Sequence, residues 1–328
     1  MKAAYFTELG GPGVIRFGEL PLPGPEPGTV FVRVAASAVN HVDTFVRSGA
    51  YATELHFPQV VGRDLVGTVE LIGPGAAAGF SPGDAVWSNS MGFGGRPGAA
   101  AAFVAVPADR LYHLPHGADP VQAAAVLHSG STACLALHRQ ARLQPGEIAF
   151  IGGAGGGVGS AAVVLAVQAG ARVVTSSGKS DVDRCLELGA SIALDYRSAR
   201  FAQELRAAVA RISGGRGADV HLETSGRHDL ELAVDVLAPG GRIIAMSGID
   251  ATNPVPLGKL YTRDGSIRGF AISNATVADL ADAAVAVNRL LVGGFRARSV
   301  MTRQLHEAAA AHRAMEGGTV RGKIVLRP

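Results

Sequence analysis

The run Glu147-Ile148-Ala149-Phe150-Ile151 is short and mostly apolar. It lies between the turn signal Gln144-Pro145-Gly146 and the stretch Gly152-Gly153-Ala154-Gly155-Gly156-Gly157-Val158-Gly159. Bounded this way, it predicts a buried strand. Ser160 to Gln168 is rich in Ala, Val and Leu and closes with Ala169-Gly170, which predicts a helix with a C-terminal glycine. The pattern then alternates. Ala171–Thr175, Ile192–Tyr196, Asp219–Thr224 and Arg242–Ser247 read as extended; Lys179–Leu188, Phe201–Ile212 and Asp229–Leu237 read as helical. Strands and helices alternating over this length predict an α/β unit with a doubly wound parallel sheet.

Residues 1 to about 120 have a different pattern. Short β-type runs at Val30–Val39, Val60–Ile72, Ala85–Ser88 and Ala102–Val106 are separated by Pro/Gly clusters such as residues 21–28, which predicts a barrel-like β domain. Met91–Gly98 reads as a flexible insertion between two of these strands. Asp119 with Pro120 reads as a helix cap and first-turn proline, and the domain boundary is placed there. After Ser247 the alternation stops. Ser266–Ile272 and Gly322–Leu326 read as strands and Thr276–Leu291 as an amphipathic helix, a tail able to complete either domain.

The glycine stretch carries the first chemistry. Strand, tight turn and helix together lay a pyrophosphate on exposed N–H groups at a helix N-terminus. The spacing Ala154-x-Gly156-x-x-Gly159 departs from the strict dinucleotide fingerprint, with alanine at the first glycine position. Alone, the stretch has a second, less favoured reading as a bland flexible loop; the alternating elements around it favour the dinucleotide reading. The next strand ends in Thr175-Ser176-Ser177-Gly178-Lys179, without the carboxylate that bonds an NAD ribose. Hydroxyls and an ammonium suit a 2′-phosphate, although Lys179 reads equally as a solvated residue opening a helix, so the residues alone leave NADPH and NADH open.

Composition narrows the class. The 328 residues are 48% hydrophobic and 17% charged with a formal charge of +3, which argues for a sizeable core and against disorder, a nucleic-acid partner or a membrane surface. No signal-peptide pattern and no long apolar run is found, and Cys134 and Cys185 cannot build a disulfide framework; a cytoplasmic location is expected. His41, His113, His116 and His128 are scattered and read as surface or hydrogen-bonded residues.

Further stretches share one resemblance: residues 39–51 (Val-Asn-His-Val-Asp-Thr-Phe-Val-Arg-Ser-Gly-Ala-Tyr), residues 61–67 (Val-Gly-Arg-Asp-Leu-Val-Gly), Gly83-Asp84-Ala85-Val86, the glycine turn, and residues 321–326 (Arg-Gly-Lys-Ile-Val-Leu). In this order they resemble the medium-chain dehydrogenases/reductases, and within them the zinc-free quinone oxidoreductases of the zeta-crystallin type. The resemblance implies a GroES-like β-barrel domain, residues 1–120 completed by about 265–328, with a Rossmann domain, residues 121–264, inserted. It puts Asn40 where the zinc branch has a cysteine, and Gly62-Arg63-Asp64 where that branch has Gly-His-Glu. Arg63 and Asp64 are expected to pair as structure.

The same resemblance implies the site. Asn40 would orient the nicotinamide, and Tyr51 would line the substrate cleft as a hydrogen-bond or proton donor, although it reads equally as a packed aromatic in a turn. Ser129 and Thr132 would lie beneath the nicotinamide, or act as ordinary caps. Ala154, Gly155, Gly156, Gly157, Val158 and Gly159 would hold the pyrophosphate, with Ser176, Lys179 and Tyr196 near the 2′-phosphate. Ser225, Ser247, Gly248, Arg321 and Lys323 complete the cofactor contacts. Two positions depart from the family: Phe45 replaces a tyrosine, and Gly317-Gly318-Thr319 stands where an arginine is common, with Arg321 a partial substitute. The implied activity is metal-free hydride transfer from NADPH to a quinone. The alternatives are enoyl or alkenal double-bond reduction and a non-catalytic NADPH-binding protein; a homodimer is implied.

Overall fold

A computed structural model describes residues 1–76 and 79–328. The chain divides into two compact units, Met1–His128 with Ala275–Pro328, and Ser129–Asn274. In chain order the strands are β1 (Lys2–Phe6), β2 (Arg16–Glu19), β3 (Thr29–Val39), β4 (Gln59–Val60), β5 (Asp64–Ile72), β6 (Ala85–Ser88), β7 (Phe103–Pro107), β8 (Tyr112–His113), β9 (Ile148–Gly152), β10 (Arg172–Ser177), β11 (Ile192–Asp195), β12 (Ala218–Glu223), β13 (Leu237–Ala245), β14 (Ser266–Gly269), β15 (Val300–Gln304) and β16 (Lys323–Arg327). The helices are α1 (His41–Ser48), α2 (Pro120–Cys134), α3 (Gly157–Gln168), α4 (Val182–Glu187), α5 (Phe201–Ser213), α6 (Leu230–Asp235), α7 (Leu257–Tyr261), α8 (Val277–Val292) and α9 (Ala308–Glu316).

The first unit is β-rich. Its main sheet runs β15-β16-β3-β5-β6-β8, with β7 also paired to β3, and a smaller sheet runs β2-β1-β4. β3 is the spine: its apolar positions Val30, Val32 and Val34 enter a core shared with Leu65, Val69, Val86 and Val104. The last strand, β16, lies antiparallel on it, with Ile324 opposite Val39 and Val325 opposite Ala38, so residues 323–327 join the sheet built by the first 113 residues.

Two expectations need correction here. The run Val60–Ile72 is two strands, because Gly62 takes φ +91 and turns the backbone between β4 and β5. Met91–Gly98 is anchored, not a loose insertion. Met91 is fully buried, Gly92 N–H donates to Pro97 O at 2.8 Å and Gly94 N–H to Thr53 Oγ1 at 2.8 Å. Its glycines serve close approach: a Cβ on Gly98 would sit 2.0 Å from Val60 O.

The second unit has one sheet, all of it parallel, in the order β11-β10-β9-β12-β13-β14. The chain starts at β9, winds outward to β11, then crosses back to β12 and winds the other way. This is the doubly wound order that the alternation predicts, and its reversal point lies between β9 and β12. The amino ends of the strands are tied by charge. Asp219 accepts from Ile148 N–H at 2.8 Å and pairs with both Arg216 amines at 2.6 and 2.7 Å. Arg242 pairs with both Glu147 oxygens at 2.7 and 2.6 Å. Ligand chemistry is left to the carboxyl ends.

Candidate active site

At the carboxyl end of β9 the glycine turn takes the shape a pyrophosphate needs. Gly153 adopts φ +71, Gly156 caps α3, and the turn is held by Ala154 N–H donating to Ser176 O at 2.9 Å. Gly159 is fixed by packing: a Cβ there would lie 2.4 Å from Gly153 O and 2.7 Å from the Ala154 Cα. Ala154 is buried against β10, whereas Gly156 and Gly157 are exposed at the helix start with Gly155 and Val158 partly so. Alanine at the first fingerprint position is therefore accommodated, and backbone N–H groups face outward where the helix dipole favours an anion. On α2, Ser129 and Thr132 are buried three positions apart, and Ser129 Cβ lies 3.3 Å from where a Cβ on Gly157 would be. The residues fit a dinucleotide at this end of the sheet.

The remaining positions of this unit gather at the same carboxyl edge. Ser176 is buried at the end of β10, while Lys179 is exposed just beyond it. Tyr196 follows β11, its N–H donating to Ser177 O at 3.1 Å, with its ring 3.9 Å from a notional Cβ on Gly178. Two guanidinium groups that the sequence reading missed lie over that ring, Arg197 at 5.4 Å and Arg227 at 5.5 Å. Ser225 and Gly226 follow β12, Ser247 and Gly248 follow β13, and the two loops touch: a Cβ on Gly248 would sit 3.1 Å from Gly226 O. His228 Nε2 bonds Ser247 O at 2.8 Å.

In the first unit, Asn40 follows β3 and caps α1 in a buried polar network. Its Nδ2 donates to Asp64 Oδ2 at 2.9 Å, its Oδ1 accepts from Lys323 Nζ, and its backbone N–H donates to Asp43 Oδ2 at 2.7 Å. His128 Nδ1 stands 4.0 Å from Asp64 Oδ1. Burial pushes the Asp64 carboxyl up to about 7 against the pull of Lys323, and the Asp43 carboxyl up to about 6 against its bond from Asn40. Burial also lowers Lys323 and Arg63, and with the neighbouring Arg63 and Lys323 cations it holds His128 well below the usual imidazole range.

Two of the expected site residues, Asn40 and Lys323, are thus in direct contact. Asp43 and His128 join them without having been singled out as site residues. The three-residue spacing from Asn40 to Asp43 is a helix-cap signal present in the sequence; nothing there marks His128.

Arg63 does not stand with Asp64 alone: its guanidinium lies 5.1 Å over the Phe93 ring, and Phe93 in turn packs on Tyr51 with ring centroids 5.2 Å apart. Tyr51 is half-buried, its N–H bonded to Phe45 O at 3.0 Å. Phe45 offers an aromatic face and no side-chain donor. Arg321 is exposed, its carbonyl held by Ser299 Oγ at 2.5 Å. Among the described residues, no three His, Cys, Asp or Glu side chains are grouped so as to hold a metal, and no helix is long and apolar enough to cross a membrane.

Comparison with known proteins agrees with this architecture. Residues 26–116 match the alcohol dehydrogenase GroES-like domain, and residues 157–286 match the family described as zinc-binding dehydrogenase. The quinone oxidoreductase of Sus scrofa is 31% identical over 334 residues, covering 99% of this chain and 97% of its own. A solved NAD-dependent alcohol dehydrogenase is 31% identical, with a TM-score of 0.87 and full coverage of both chains. The Escherichia coli quinone oxidoreductase, solved in complex with NADPH, is 25% identical with a TM-score of 0.83, also over both whole chains.

Proposed function

This chain belongs to the quinone oxidoreductase family of the medium-chain dehydrogenases/reductases, and we propose that it is an NADPH-dependent reductase that delivers hydride to a quinone without a metal ion. The observation that carries this reading is the charge arrangement around Asn40. Lys323 donates to Asn40, and both Lys323 and Arg63 act on the Asp64 and Asp43 carboxylates, so the local charge is balanced by side chains. A dication placed there would meet an ammonium and a guanidinium. Quinones have a low-lying empty orbital and take hydride without a Lewis acid; a plain ketone would need its oxygen polarised.

When bound, the nicotinamide cofactor supplies the hydride. Ala154 through Gly159 hold its pyrophosphate at the α3 N-terminus, and Ser176, Lys179 and Tyr196 receive the 2′-phosphate. Ser225, Ser247 and Gly248 border the cofactor along the carboxyl edge. Ser129 and Thr132 support the nicotinamide end, Asn40 orients the ring, Lys323 acts with Asn40, and exposed Arg321 adds a cation. Tyr51 hydrogen-bonds the acceptor, and catalysis is mostly positioning. A cytoplasmic homodimer completes the reading.

The test gives the purified protein benzoquinone, phenanthrenequinone, a short 2-alkenal and a crotonyl thioester, each with NADPH or NADH. Quinone turnover favouring NADPH supports the reading. Reduction of the alkenal or thioester alone makes the protein a double-bond reductase. NADPH binding with no turnover makes it a non-catalytic nucleotide-binding protein.

A further inference from the structure

We propose that Lys323 and Asp64 are positioning residues that lock the Asn40 side-chain amide in one of its two orientations. The inference rests on the reading of the chain as an NADPH-dependent reductase in which Asn40 orients the nicotinamide.

A primary amide presents an oxygen acceptor and an NH₂ donor of nearly the same shape, so its two flips differ only through their neighbours. Here the neighbours are of opposite kinds. The Lys323 ammonium meets Oδ1, and the Asp64 carboxylate meets Nδ2 at 2.9 Å. A flip would set donor against ammonium at any pH and, above about pH 7 where Asp64 is ionised, acceptor against carboxylate. Asn40 is only 3% exposed and Asp64 fully buried, so water cannot relieve that mismatch.

The sheet enforces the arrangement. β16, β3 and β5 are neighbours, with Ile324 opposite Val39 and Ala38 opposite Asp64. Lys323 therefore comes opposite Asn40 just past the end of β3, and Asp64, opposite Ala38, stands two positions along on the neighbouring strand. The Asn40 backbone is held separately by Asp43 at 2.7 Å. With Oδ1 and one amide hydrogen committed, the remaining amide hydrogen points one way only. Lys323 thereby acts on the cofactor through Asn40 and not by touching a phosphate.

The two roles differ in kinetics. Lys323→Met is expected to lower kcat by up to about a hundredfold, the scale of a slight misplacement of reacting groups, while the KM for NADPH stays within about threefold. Lys323→Arg recovers most of kcat. Lys323→Met combined with Asn40→Ala costs no more than the worse single change. A rise in NADPH KM at constant kcat, or full additivity of the two changes, overturns the proposal. A second readout needs no turnover: the side-chain NH₂ resonances of Asn40 in ¹⁵N-labelled protein, identified by their loss in Asn40→Ala. One sharp pair that broadens or doubles in Lys323→Met supports locking; an identical pair in both proteins rejects it. If no acceptor is reduced by the unmodified protein, the reductase reading fails, and the resonances still decide the locking.

Discussion

Lys323 donates a hydrogen bond to the side-chain oxygen of Asn40, 283 positions away in the sequence. The antiparallel ladder between β16 and β3 creates this contact. It joins the last strand of the chain to the residue that stands, by resemblance, where related enzymes place a zinc-binding cysteine.

The proposed preference for NADPH rests on the residues at the end of β10. Removing the Lys179 ammonium with Lys179→Ala is expected to raise the KM for NADPH about tenfold or more, the worth of one charge-assisted bond, and to leave the KM for NADH unchanged. Steady-state kinetics with both nucleotides checks this. An equal effect on both returns Lys179 to the role of a solvated helix residue.

The glycine turn gives a steric prediction. Gly159→Ala places a Cβ 2.4 Å from Gly153 O, a backbone atom with little freedom to move. The expected cost is about 1–3 kcal/mol of stability together with at least about a tenfold loss of NADPH affinity. Gly258→Ala, which meets nothing within 4 Å, is expected to change neither. Thermal melting with and without NADPH separates the two variants.

How much of this the chain announced differs by element. The parallel sheet was legible because apolar runs and helical stretches alternate from Glu147 to Ser247, and the glycine turn because its context repeats a physical requirement. β15 was not legible: Val-Met-Thr-Arg-Gln is a mostly exposed edge strand and has no buried face to write an alternation. α1 and α9 are short, and polar residues occupy buried positions in both, Asp43, Thr44 and Arg47 in α1 and His312 in α9, so no clear apolar stripe marks them. In Met91–Gly98 the glycines read as flexibility, whereas Gly92 and Gly98 lie against the backbone of residues 60–62. Asn40 and Lys323 were singled out separately, but their contact and the part of Asp64 and His128 escaped because these residues come from β5, α2 and β16, brought to Asn40 only by long-range packing.

Tyr51, a half-buried residue, packs beside Phe93. If it donates a hydrogen bond to the acceptor, Tyr51→Phe keeps the packing and is expected to lower kcat about tenfold to a hundredfold with NADPH affinity unchanged. Unaltered kcat with every acceptor reduces Tyr51 to a packed aromatic.

Acid stability has a clear sign. Burial pushes His312 and His221 down to about 3, so the folded state keeps both neutral while the unfolded chain protonates near 6.5. Above 6.5 neither group affects stability. As pH falls from 6.5 towards 3 the unfolded state binds more protons, and each histidine removes about 1.4 kcal/mol per pH unit. Denaturant titrations at pH 7 and pH 5 are expected to show the fall, and His312→Leu to make it shallower. Equal slopes in the two proteins would remove His312 from the account.

The most direct test is the rate of phenanthrenequinone reduction by NADPH after exhaustive chelation. The Asn40–Lys323–Asp64 network predicts the full rate, with added zinc giving no increase. Activity that disappears on chelation and returns with zinc would contradict it.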